Sequence, residues 1–179
     1  MLLNNVSVSY TSQRQIEVYR FGLPVTILVP LAAVFFQAFV PLRLRFFSVF
    51  DLPLLVVIFF AMARRSPMAG LLTGAAIGLL QDSLTGPGHP IGMYGIAKTV
   101  VGYGASSLGV KLDVENAGTR LLITVVFYVI HQVLYFTIAR GLVRLDLHWS
   151  WPHELIAAAA NALLGVFLFA VMDRLKQRA

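Results

Sequence analysis

Asp82 and Lys98 are the two ionisable residues whose positions ask most of their surroundings. Asp82 continues a run in which Gly70, Gly74 and Gly78 recur every fourth residue. On an α-helix those positions fall on one narrow stripe. A carboxylate at the end of such a stripe should face a protein partner or a wet cleft rather than hydrocarbon. The plainer alternative is that Asp82 marks where the helix meets water. Lys98 sits about two turns into the next apolar stretch, where an ammonium is costly unless it pairs or reaches the headgroups. Asp82 and Lys98 lie toward the same ends of adjacent antiparallel helices joined by a short loop. The spacing therefore predicts a contact between them, with a lone, snorkelling Lys98 as the alternative.

The other polar candidates are thinner. His131 and Gln132 sit mid-helix and raise a proton relay or ligand site, but interhelical hydrogen bonding is the reading preferred for them, as for Asn161. His148, His153 and Glu154 raise a metal site without a further ligand. The sequence has no phosphate-binding glycine loop, serine nucleophile motif, metalloprotease helix or paired phosphotransferase aspartates. No catalytic residue, cofactor or metal is expected.

The elements that must hold these residues are membrane helices. The 179 residues are 58% hydrophobic and 12% charged, with a mean hydropathy of +0.79. A soluble domain carries roughly 25% charged residues, and a chain of this length cannot hide so much apolar surface in a core of its own. There is room for about six spans of about 20 residues, with little left for an extramembrane catalytic unit. Cysteine is absent, which excludes disulfides and thiolate chemistry. The net charge of +6 is dispersed through short loops, a membrane topology signal rather than a nucleic-acid footprint.

Taken in order, residues 1–20 are polar and suit a short interfacial segment, with no cleaved signal peptide expected. Six spans are expected at about 21–40, 46–63, 67–84, 91–110, 120–139 and 155–172, in one integral membrane domain. Pro24 and Pro30 lie in the first, and Pro41 with Arg43 and Arg45 is expected to end it. Asp51 is placed to cap a helix whose first turn includes Pro53. Arg64–Pro67 makes a tight turn into the glycine-striped helix. Arg140 to Glu154 is expected to form a loop, with Trp149 and Trp151 at headgroup level. With the N-terminus inside, nine of the basic residues fall on inner segments and four on outer loops. That balance places both termini in the cytoplasm.

The proline-led second span, the Arg64-Arg65-Ser66-Pro67 turn, the third span ending Gly78-Leu79-Leu80-Gln81-Asp82 and the glycine-rich fourth span resemble the rod shape-determining MreD family. The resemblance covers essentially the whole chain. The family pattern is matched by Pro53, Pro67, Gly70, Gly74, Gly78 and Asp82; Lys98 is not part of it. The resemblance implies an all-α polytopic protein of six transmembrane helices, similar in fold to the substrate-binding membrane subunits of energy-coupling-factor transporters. It implies a non-catalytic scaffold of the bacterial elongation complex in the cytoplasmic membrane, acting in lateral peptidoglycan synthesis. MreC is the direct partner it implies, with RodA, a penicillin-binding transpeptidase and MreB reached through the complex, and no nucleic acid. Gly70, Gly74, Gly78, Asp82, Lys98 and Asn161 are then the candidate partner-binding or helix-packing residues. The alternative of a different class is a vitamin-type binding subunit of a transporter, with Asp82, Lys98, Tyr94, Trp149 and Trp151 in an outward cavity.

Overall fold

The computed structural model describes residues 19–86, 88–110, 112, 116–175 and 177–178. The interfacial reading of the first twenty residues lies outside these up to residue 18. Six α-helices follow one another: α1 (Leu23–Arg43), α2 (Leu52–Arg64), α3 (Pro67–Leu84), α4 (Met93–Gly109), α5 (Ala117–Thr137) and α6 (Trp151–Asp173). A 3₁₀ turn (Arg45–Val49) precedes α2, and a π-helical turn (Ile138–Leu142) extends α5. Two short strands, β1 (Tyr19–Arg20) and β2 (Gln177–Arg178), pair antiparallel beside the ends of the bundle.

The helix starts are written locally. Asp51 Oδ1 accepts from Leu54 N at 2.9 Å, and Pro53 takes the first turn, where an N–H has no helical partner to lose. Arg65 closes α2 in the left-handed conformation (φ 51°), and Ser66 then caps α3 ahead of Pro67. Asn116 Oδ1 accepts from Gly118 and Thr119 to start α5.

Packing follows side-chain size. From Pro53 to Ala63 every residue of α2 is buried, as expected of a helix that is apolar on all sides. The other five helices all touch it. α3 packs most extensively on α4, through the glycine stripe. A Cβ built on Gly74 would overlap the Lys98 carbonyl, and those on Gly70 and Gly78 would overlap the carbonyls of Gly102 and Tyr94. Backbone here meets backbone, a contact only glycine allows. The outward faces stay apolar: Leu121, Leu122 and Val126 on α5 and Leu155, Leu163 and Phe167 on α6 are exposed. Three helices, Leu23–Arg43, Ala117–Leu142 and Trp151–Asp173, are long and apolar enough to cross a membrane.

Three boundaries differ from the sequence reading. Pro41 lies inside α1, which runs on to Arg43, because a proline near the end of a helix forfeits only one hydrogen bond, the one it would return to Gln37. The second apolar run breaks into the 3₁₀ turn and α2, with Asp51 between them. The expected loop 140–154 is shorter at both ends. Arg140 belongs to the π-helical turn, and Trp151, His153 and Glu154 form the first turn of α6.

Candidate functional site

The N-termini of α2, α4 and α6, the C-terminus of α3 and the second half of α5 meet at one end of the bundle. Most of the polar side chains buried in the fold gather there.

Asp82 does not reach Lys98. Its Oδ2 accepts from Gly92 N at 2.8 Å and Gly95 N at 3.0 Å, and its Oδ1 accepts from Tyr94 N at 3.0 Å. His89 Nε2 lies 3.0 Å from the same Oδ1. α4 has no capping side chain of its own, since its N-cap is Gly92 at φ 109°. Asp82 caps it from the neighbouring helix, placing a negative charge against the positive end of the α4 dipole. Because each oxygen serves N–H donors, an amide replaces only half of the carboxylate. Asp82→Asn is therefore expected to fall with Asp82→Ala, each costing about 1–3 kcal/mol. Faster hydrogen exchange at the amides of Tyr94 and Gly95 in both variants checks it, and protection retained in Asp82→Asn counts against this capping role.

Lys98 goes instead to Asp51, Nζ to Oδ2 at 2.8 Å. The predicted Asp82–Lys98 pair is thus replaced by a pair between residues 47 positions apart. Two causes are visible. The lone pairs of Asp82 are taken by the first turn of α4, and helical side chains lean toward their own N-terminus, which carries Lys98 toward the end where Asp51 caps α2. The lysine is wholly buried. Its second contact is His131 Nε2 at 3.1 Å, and the Tyr94 ring lies 4.9 Å from Nζ. An ammonium has donors only, so His131 Nε2 accepts and its ring proton is assigned to Nδ1, 3.2 Å from Gln132 Oε1. Gln132 Nε2 then donates to Glu154 Oε2 at 3.0 Å and Tyr128 Oη at 3.2 Å. The chain of contacts runs from α2 through α4 and α5 to α6.

Asn161 closes the cluster from below. Its Oδ1 accepts from Asp51 N at 2.8 Å, while its Nδ2 donates to the carbonyls of Val49 and Ala157. It thereby fastens α6 to the start of α2. Tyr94, His89 and Tyr135 form a cluster of near-parallel rings, with the Tyr94 ring centre 5.2 Å from His89 and 4.7 Å from Tyr135. Trp149 and Trp151 meet edge to face at 5.3 Å, and Trp149 meets Phe136 edge to face at 5.1 Å. Sequence reasoning took Asp51 only as a cap and missed Glu154 and Tyr128 as partners of Gln132. The signal for Asp51 was available: in an alternating bundle the N-termini of α2 and α4 share one end, so an acid at the first and a lysine in the second are neighbours in depth.

Among the described residues no group of three or more histidine, aspartate and glutamate side chains is gathered to hold a metal. Glu154, weighed with His148 and His153, is bonded to Tyr128 and Gln132 instead. The cluster's charges and amides answer one another, and that is the arrangement of a buried joint between helices.

A model of the family described as rod shape-determining protein MreD matches residues 18–175. No curated protein matches the chain, and no solved structure does. The family is membrane-associated, consistent with the three long apolar helices, and is a shape-determining family rather than one known for enzymes. The chain belongs to the rod shape-determining MreD family, and its part is in fixing rod shape.

Proposed function

We propose that this chain is a non-catalytic membrane scaffold of the rod complex that binds the single membrane helix of MreC. Through MreC it meets MreB, RodA and the paired penicillin-binding transpeptidase, and so supports lateral peptidoglycan synthesis. In this reading all six helices span the bacterial cytoplasmic membrane as one domain, both termini are cytoplasmic, and the polar cluster lies toward the outer face. The architecture would then be of the type seen in energy-coupling-factor substrate-binding subunits.

The observation that carries the reading is how the polar side chains are spent. Asp51, Lys98, His131, Gln132 and Asn161 bond to one another and to backbone, and Asp82 bonds to backbone and His89. The outward faces offer apolar side chains. A body built this way recognises other helices rather than turning over a substrate. Gly70, Gly74, Gly78, Asp82, Lys98 and Asn161 act in it as packing residues, shaping the surface a partner meets.

Affinity purification from a mild-detergent extract tests it. MreC is expected to be recovered with the chain, and depletion of the chain is expected to turn rods into spheres. Recovery of an ATPase pair or a bound vitamin in place of MreC would overturn the scaffold in favour of a transporter subunit.

A further inference from the structure

The connection from α5 to α6 gathers donors that no acceptor of the chain answers. Arg140 lies in the π-helical turn, its Cζ 5.6 Å from the centre of the Phe136 ring. Arg144 follows in the left-handed conformation (φ 62°), where glycine or asparagine is the usual occupant. Both are exposed, and neither guanidinium makes a hydrogen bond or ion pair among the described residues. Of the acids close in sequence, Glu154 is held by Tyr128 and Gln132, and Asp146 is exposed without a bond to either arginine. Trp149 packs edge to face on the same Phe136 ring, and its indole N–H is buried with no acceptor among the described residues. Arg65 and Gln81 also carry a buried atom without a partner, but each has further polar atoms, whereas the indole has only this one.

α5 with its π-helical turn and α6 are two of the three helices long and apolar enough to cross a membrane. Their connection therefore stands at a membrane surface, whichever way the bundle is inserted. We propose that it binds the phosphate of an anionic phospholipid such as phosphatidylglycerol. Arg140 and Arg144 supply forked, charged donors to the phosphodiester oxygens. Trp149 is partly exposed as a residue, so a turn of its ring brings the N–H to the same oxygens. The acyl chains lie along Leu155 and Ile156, both exposed in the first turns of α6. Each feature narrows the occupant. All three groups only donate, so it is an acceptor; two are cations, so it is anionic; the flanking side chains are apolar, so it carries hydrocarbon. A free anion meets the first two conditions and not the third. Arg43 and Arg45 offer the comparison: they are exposed and unpaired among the described residues at the same end of the bundle, but their segment has no tryptophan.

Both tryptophans of the chain stand at this connection, so its intrinsic emission reports on the site. The full chain carrying Trp151→Phe, with Trp149 as reporter, is reconstituted in phosphatidylcholine vesicles. These contain phosphatidylglycerol or phosphatidylcholine brominated on the acyl chains, at equal mole fraction. Bromine quenches an indole only at close range, so the two quenching curves give the relative affinity of the site for the two lipids. Phosphatidylglycerol is expected to be preferred about tenfold. Arg140→Gln or Arg144→Gly should each lower that to about threefold, and the two together to parity. Glycine suits the turn at position 144, so a loss there does not report misfolding. Trp149→Phe, read from Trp151, keeps a ring and removes the N–H, and should also lower the preference to about threefold. Arg43→Gln/Arg45→Gln removes as much charge from the same end of the bundle and should leave the preference unchanged. Equal quenching by the two lipids in the parent, or a full preference in Trp149→Phe or in the Arg140/Arg144 double variant, would overturn the site. So would an equal fall in the two arginine double variants, which would reduce it to diffuse surface charge. Relief of the quenching by added inorganic phosphate would assign the site to a free anion and overturn the lipid. MreC takes no part in the measurement, so this inference and the scaffold reading stand or fall separately.

Discussion

Asp51→Asn is expected to destabilise the protein by about 3–5 kcal/mol, although asparagine keeps both the shape and the capping oxygen. The loss comes from Lys98, whose ammonium is wholly buried and would keep only the His131 ring nitrogen and the Tyr94 face as partners. Lys98→Met leaves the mirror problem, a carboxylate of which 15% is exposed, together with a His131 nitrogen lacking its donor. Removing both charges removes the problem rather than doubling it, since replacing a whole buried pair by neutral groups is often close to neutral. The double variant Asp51→Asn/Lys98→Met should therefore unfold nearer the parent than either single variant. Thermal unfolding in detergent of all four proteins completes the cycle. If the two single losses simply add in the double variant, the pair carries no coupling.

The second large effect is expected at Gly74. A methyl group there overlaps the carbonyl of Lys98, an atom held in the α4 helix ladder and unable to rotate away. Gly74→Ala must push α3 and α4 apart along the contact that positions both Asp82 and Lys98, at a cost of about 1–3 kcal/mol. Gly74→Leu should exceed that and lower the yield of folded protein. Gly141 is the control: it has open space around it and no positive φ, so Gly141→Ala should stay within about 0.5 kcal/mol. Equal losses at Gly74 and Gly141 would mean that the close approach contributes nothing particular.

These two effects also mark how far the sequence could be read. The glycine stripe, the Asp51 cap and the Ser66–Pro67 restart each depend on a few adjacent residues and on backbone chemistry, and each stands as the spacing predicts. What the sequence left open was the face to which each polar side chain turns. Asp82 and Lys98 are neighbours by loop length, yet their pairing is decided by competition. Three N–H groups of α4 reach Asp82, and the ammonium takes the remaining carboxylate at the same depth. His131 looked isolated because helical spacing counts neighbours along one helix, whereas its partner Lys98 comes from another. Whether the glycine stripe serves this chain or a partner was equally open, since Gly-x-x-x-Gly specifies close approach and not by whom. Here α4 fills it.

The pairing of Tyr19–Arg20 with Gln177–Arg178 has a consequence of parity. Two strands in register must lie on the same side of any bilayer that the intervening helices cross, so the chain between them makes an even number of crossings. Together with the Arg120–Asp173 bridge at 2.7 Å, which ties the start of α5 to the end of α6, it sets residues 19–20 beside residues 177–178. The fold is in effect a ring with a nick. New ends cut into the loop after α5, with a short linker joining Tyr19 to Arg178, would keep the six helices in their present contacts.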